Sequence, residues 1–254
     1  LVFAVIIGRI QRIAAVTSRV VPFMVIFYFL ITAALLFSHA DAIPGAFMLI
    51  IEGAFRGQAV AGGALGTVIL IGVQRGAFSN EAGIGTEALA HGAAKTNEPI
   101  REGVVAMIGP VVDTLIVCTC TALAILVTGV WEGDAVGATI TTLAFETTFP
   151  GVGGYLLVIM VFFLSMSTVL TFSYYGSKCA GFLFGMRFEK WYIWFYVGLI
   201  TLGSVASLRA VIGLLDGMYA TMAIPTMIST LLLAPKVREA ANDSFARLKT
   251  EDQD

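Results

Sequence analysis

Charge is scarce in this chain: Asp, Glu, Lys and Arg make up only 13% of its 254 residues, about half the share of an ordinary soluble domain. A soluble domain of this length has to show water a polar outer face, and there are too few ionic side chains to build one. The formal net charge of −2 gives no footing for nucleic acid or for an acidic substrate. Cysteine is also sparse. Cys118, Cys120 and Cys179 lie in apolar stretches, and residues two apart on a helix point about 200° away from each other, so Cys118 and Cys120 do not converge on a metal. All three read as free thiols packed like small hydrophobes.

Other absences narrow the function. No Ser, His and acid are spaced as a nucleophilic site, and the Gly-rich stretches lack the strand-to-helix context and the Lys of a phosphate-binding loop. A membrane enzyme and a nucleotide-binding protein are therefore disfavoured. His39 and His91 are expected near opposite membrane faces and read as interfacial residues rather than proton relays. The run from Leu1 to Gly8 has neither a basic lead nor a small-residue cleavage site, so it is not a signal peptide. It reads as the end of an earlier span, which makes the chain the expected carboxy-terminal part of a longer polypeptide.

What the chain has in abundance is apolar length. Apolar residues reach 58%, and runs long enough to cross hydrocarbon recur from one end to the other. After residues 1–19, read as the end of a span and a cytoplasmic connection, six spans are expected within residues 20–234. They run roughly from Val20 to Ser38, Val60 to His91 with an interruption, Gly103 to Thr128, Gly154 to Gly176, Trp191 to Ser207 and Gly217 to Ala234. All read as helices, because an open strand edge cannot satisfy its backbone in lipid. The fold class is all-α, a polytopic transmembrane helical bundle.

Basic residues set the expected orientation. Arg9, Arg12, Arg19, Lys95, Arg101, Lys178, Arg187, Lys190, Lys236, Arg238, Arg247 and Lys249 fall in alternate connections, which are therefore cytoplasmic. Trp191, Tyr192, Trp194 and Tyr196 cluster beside Lys190 as an interfacial anchor. The polar tail, residues 235–254, is expected on the cytoplasmic side as a short surface helix or as disorder.

Polar residues at membrane depth carry the functional signal. The stretch GGALGTVILIGVQRGAFSNEAGIGTEALAHG, Gly62 to Gly92, is an apolar run with a fault. Gly72, Gly76, Gly83 and Gly85 weaken helix propagation, and Gln74, Arg75, Ser79, Asn80 and Glu81 are costly in lipid unless they line a cavity or sit in protein. A discontinuous helix around residues 60–91 would free backbone groups to hold a carboxylate and a monovalent cation. A cytoplasmic loop between two ordinary spans is the alternative.

Asp113 lies about ten residues into its span with no basic neighbour in sequence. It reads either as an ion ligand or as a hydrogen-bonded packing acid. In the span from Gly154, the hydroxyls of Ser165, Ser167, Thr168, Thr171 and Ser173 gather in the second half. Such oxygens are hard ligands suited to sodium, or small groups that let helices approach closely. Thr168 and Phe172, four apart, share a face.

GVQRGAFSNEAGIGTEALAHGAAKT (Gly72 to Thr96), followed by Pro99, Arg101, Gly103 and DTLIVCTCTAL from Asp113, closely resembles the alanine or glycine:cation (sodium:alanine) symporter family. VVPFM at Val20, FSYYG ending at Gly176, FLFG at Phe182 and AIP at Ala223 extend the likeness over nearly the whole chain.

The resemblance implies a leucine-transporter-like fold of two inverted repeats, of which this chain supplies the second half. It also implies import of a small neutral amino acid, alanine or glycine, in symport with sodium across the cytoplasmic membrane. Sodium is then a coupling ion, and no cofactor is implied. The implied partners are the amino acid, sodium, the bilayer and the amino-terminal half of the same polypeptide. Gly76, Phe78, Ser79, Asn80, Thr168 and Phe172 are the implied substrate-binding residues, and Ser167, Thr168 and Asp113 the implied sodium ligands. The family often has Trp where Phe172 stands and Gly where Thr171 stands, a departure that bears on pocket size. A proton-coupled symporter, a channel and a non-transporting scaffold or sensor subunit are the rival readings.

Overall fold

The computed structural model describes residues 9–55, 64–135 and 137–251. The stub Leu1 to Gly8, Arg56, the start of the run from Val60, and the last three residues of the tail lie outside the described residues. Those described are helical with short connections, and no strand occurs among them.

Helix α1 runs Arg9–Ser38, α2 Ile43–Phe55, α3 Ala64–Asn80 and α4 Thr86–His91. Helix α5 runs Pro99–Val127, α6 Ala138–Thr148, α7 Gly153–Phe184, α8 Phe188–Val205 and α9 Leu208–Glu251. By length and composition α1 from Ala15, α5, α7 and α9 up to Thr250 are long and apolar enough to cross a membrane. The chain is a multi-pass membrane protein. Helix α3, with 17 described residues, and α8, which opens on Glu189 and Lys190, are shorter or less apolar.

Three details go beyond what the sequence reading drew or left open. Residues 9–19, expected as a connection, continue without interruption into the first span. Gly72 and Gly76 sit inside α3 rather than at a break, because neighbouring turns carry the helix across a single glycine. Helix α9 passes through Pro225 and Pro235 and includes most of the expected tail. Its 44 residues extend ~66 Å at 1.5 Å per residue, about twice the hydrocarbon thickness.

The chain divides into two compact units, residues 1–71 with 115–199, and residues 72–114 with 200–254. In the first, α1, α5, α6 and α7 enclose a core of Tyr28, Leu35, Ala124, Phe145, Leu157 and Met160. The Tyr28 hydroxyl donates to the carbonyl of Val117 at 3.2 Å and is also hydrogen-bonded to Thr121. That carbonyl lies in a π-helical stretch, Val111–Cys118, which starts directly after Pro110. Proline lacks an N–H and its ring crowds the preceding turn, and a widened turn is one way for the helix to continue. In the second unit α4 and α9 each pack on the first half of α5. Outward-facing apolar side chains such as Phe37, Leu115 and Leu231 are more than half exposed, as lipid-facing residues are.

Candidate functional site

The polar fault falls at the carboxy end of α3. The helix stops at Asn80, whose side-chain carbonyl accepts the N–H of Ala82 at 2.9 Å, a local turn that competes with further helix. Glu81 (φ 56), Gly83 (φ 87) and Gly85 (φ 93) then take left-handed backbone, and α4 begins at Thr86. Gly85 is required twice over. Its φ suits glycine, and a Cβ there would lie 2.7 Å from Thr226 Oγ1 of α9.

Two side-chain bonds tie this helix end to the π-helical stretch of α5. Ser79 Oγ donates to Asp113 Oδ2 at 2.5 Å, and Asn80 Nδ2 donates to Thr114 Oγ1 at 3.0 Å. Asp113 and Thr114 are half-buried. The Asp113 carboxylate and the hydroxyls of Ser79 and Thr114 gather hard oxygen atoms at this helix end, a chemistry that suits a monovalent cation or an ammonium group.

One turn earlier, Arg75 reaches Asp216 of α9 at 3.6 Å and lies 5.9 Å over the ring of Phe78. Phe78 in turn meets Tyr219 edge-on, with ring centroids 4.9 Å apart at 70°. Gly72 and Gly76 leave their side of α3 open, since a Cβ at either meets nothing within 4 Å. Farther along, His91 Nδ1 and Glu102 Oε1 lie 2.7 Å apart, tying α4 to α5.

The structure thus brings Ser79, Asn80 and Asp113 together, with Gly76 and Phe78 on the same end of α3, all in the second unit. Asp216 and Tyr219 were not legible in the sequence as members of this group. Asp216 stands just before the expected start of its span at Gly217, and its tie to Arg75 is a tertiary contact with no sequence spacing to betray it.

Ser167, Thr168 and Phe172 belong to the first unit, on α7. Both hydroxyls donate to the carbonyl of Leu164, at 2.8 Å from Ser167 and 3.0 Å from Thr168. A hydroxyl that gives its proton back to its own helix keeps its oxygen lone pairs free to face a cation. Thr168 is exposed and Ser167 half-buried. Phe172 packs edge-on against Tyr175, with centroids 5.5 Å apart.

Beyond these helices, α6 is anchored by Glu146. Its carboxylate accepts the N–H of Gly151 at 2.6 Å and of Gly154 at 2.8 Å. These backbone donors, Gly154 foremost, hold its pKa below the ordinary carboxylate range.

Comparison with known proteins adds an independent finding. The family model described as the sodium:alanine symporter family matches residues 1–254. The sodium/alanine symporter AgcS of Methanococcus maripaludis is 40% identical over 235 residues, covering 91% of this chain and 52% of that protein. An uncharacterized transporter of Haemophilus influenzae is 36% identical over 260 residues, covering 100% of this chain and 57% of the relative. A probable sodium/glutamine symporter, GlnT, of Bacillus subtilis is 31% identical over 255 residues, covering 98% of this chain and 52% of its own length. The chain spans about half the length of the curated relatives it matches.

Proposed function

The chain belongs to the sodium:alanine symporter family, a family of transporters rather than enzymes, and from that premise we propose that it is the carboxy-terminal half of a secondary active transporter. The transporter imports a small neutral amino acid, alanine or glycine, together with sodium across the cytoplasmic membrane, and its carboxy terminus lies in the cytoplasm. The amino-terminal half of the same polypeptide completes the leucine-transporter-like inverted repeat.

One observation carries this reading: the bonds from Ser79 to Asp113 and from Asn80 to Thr114 at the end of α3. A polar cross-link between helices in so apolar a chain, beside a turn of left-handed backbone, is expensive in lipid and supports the reading of this helix end as part of a solute or ion path. In this reading Gly76, Phe78, Ser79 and Asn80 contact the amino acid. Asp113 holds sodium or tunes its site, and on α7 Ser167 and Thr168 supply hydroxyl ligands to sodium while Thr168 and Phe172 face the substrate.

Coupling requires that sodium raise amino-acid affinity and the amino acid raise sodium affinity by the same factor, ~5- to 150-fold for a coupling energy of ~1–3 kcal/mol. Equilibrium binding of labelled alanine to the full-length polypeptide, titrated with sodium, tests this. Affinity that rises with sodium in the wild type, and rises less in Thr168→Val, is the expected outcome. Affinity independent of sodium would contradict it, and affinity that instead follows pH would replace sodium with a proton.

A further inference from the structure

Helix α8 runs back along α7 after a turn at Gly185, whose φ of 89 is left-handed. Two tyrosines set their spacing. Tyr196 Oη donates to the carbonyl of Val169 at 2.8 Å, and Tyr192 lies against Gly176, where a Cβ would overlap its hydroxyl. Towards the turn the two helices leave a groove of about 670 Å³, lined by Leu183 and Phe184 of α7 and by Phe188, Trp191, Trp194 and Phe195 of α8. That volume falls in the ~300–1,000 Å³ range of small-ligand pockets. All six side chains are exposed. Phe184 and Phe188, with ring centroids 5.0 Å apart, close the end nearest the turn.

Exposed apolar surface is ordinary on a lipid-facing helix, and what sets this groove apart is its charge. Glu189 is the one acid between Glu146 and Asp216, and it is engaged by Lys178 at 3.8 Å and by Ser177. Arg187 and Lys190 are exposed, and among the described residues neither has an ion-pair partner. They stand four residues before Trp191 and Trp194, at the turn end of the same helical stripe. Tryptophan favours headgroup depth, and basic residues mark this end of α7 as cytoplasmic. An apolar groove thus ends in two uncompensated cations where the lipid phosphates lie.

We propose that this groove holds an anionic phospholipid of the cytoplasmic leaflet, with one acyl chain between Leu183 and the rings of Trp191 and Phe195 and its phosphate taken by Arg187 and Lys190. The inference needs only that α7 crosses a membrane and is independent of the solute carried. A zwitterionic lipid brings its own ammonium to the same place and answers the two cations less well. The planar fork of Arg187 matches two phosphate oxygens at once, and basic side chains at the surface attract anionic headgroups, each by about fivefold in affinity.

The test is tryptophan quenching in the full-length polypeptide, held in phosphatidylcholine nanodiscs with rising mole fractions of either brominated phosphatidylglycerol or brominated phosphatidylcholine of the same chains. The signal read is the emission lost when Trp191→Phe and Trp194→Phe are combined. Half-quenching should come at a mole fraction about tenfold or more lower for phosphatidylglycerol than for phosphatidylcholine. Arg187→Gln with Lys190→Gln should abolish that preference, and Arg187→Lys with Lys190→Arg, which keeps both charges, should retain most of it and stands in if the glutamine pair does not fold. Lys236→Gln with Arg238→Gln, on α9, should leave it within about twofold. Equal quenching by the two lipids in the wild type would overturn the proposal, as would an equal loss of preference in the α9 pair, which would mean diffuse surface attraction. Emission that neither lipid quenches would also overturn it and show that protein, not lipid, covers the groove.

Discussion

Ser79 of α3 donates its hydroxyl proton to the carboxylate of Asp113 on α5 at 2.5 Å, and this bond fixes the end of one helix against the π-helical stretch of another. A hydrogen bond to a charged acceptor is worth ~1.5–3 kcal/mol. Asp113→Asn keeps the shape and removes the charge. It is expected to raise the sodium concentration for half-maximal alanine binding by about tenfold or more, whereas Ser79→Ala, which leaves the carboxylate in place, should raise it by less. Sodium titrations of alanine binding check the order. Equal sodium dependence in Asp113→Asn and wild type would return Asp113 to a packing role.

Gly153 opens α7 where a Cβ would run into the backbone of Phe145 and Glu146, and backbone cannot rotate out of the way as a flexible side chain can. Gly153→Ala should therefore destabilise the first unit by ~1–3 kcal/mol through overpacking. Thermal unfolding of the purified protein should show a lower Tm than wild type. An unchanged Tm would mean that the α6 to α7 connection yields at no cost.

Tyr28 reaches from α1 to the Val117 carbonyl and to Thr121. Tyr28→Phe keeps the ring in the core and leaves that carbonyl with one donor fewer, at an expected cost of ~0.5–1.5 kcal/mol. Measured with Thr121→Val in a double-mutant cycle, the two should be non-additive, because they share one network. Additive losses would show that the Tyr28 to Thr121 bond contributes nothing to stability.

The depressed pKa of Glu146 has a pH consequence. The group holds its proton less tightly in the folded protein than in the unfolded chain, so the unfolded state binds more protons as pH falls. The stabilisation is present above the ordinary glutamate range and is lost as pH drops through that range towards the lower folded value. In a Glu146→Gln variant, Tm should fall less between neutral and acid pH than in wild type. Parallel profiles would remove Glu146 from the acid response.

Most of the helical architecture was legible in the sequence, because hydrocarbon demands about twenty apolar residues per span and leaves the backbone no other regular structure. The turn after α3 was legible only to within a dozen residues. Gly72, Gly76, Gly83 and Gly85 look alike in sequence, and only the left-handed φ of Gly83 and Gly85 separates a turn glycine from one carried inside a helix. Helix α6 went unread because its anchors, Glu146 on Gly151 and Gly154, are backbone contacts made after the chain has turned. The Ser79 to Asp113 bond joins two residues that the sequence marked separately, whereas Arg75 was marked without its partner. Asp216 sits at the margin of an apolar run, where an acid attracts no notice until the contact is seen.

The most direct measurement of the central claim is uptake of labelled alanine and glycine into vesicles holding the full-length polypeptide, with and without an inward sodium gradient. Saturable uptake that the sodium gradient drives, and that Thr168→Val weakens, is the predicted result. No uptake from protein shown to be folded and inserted would contradict it and put a scaffold or sensor role first.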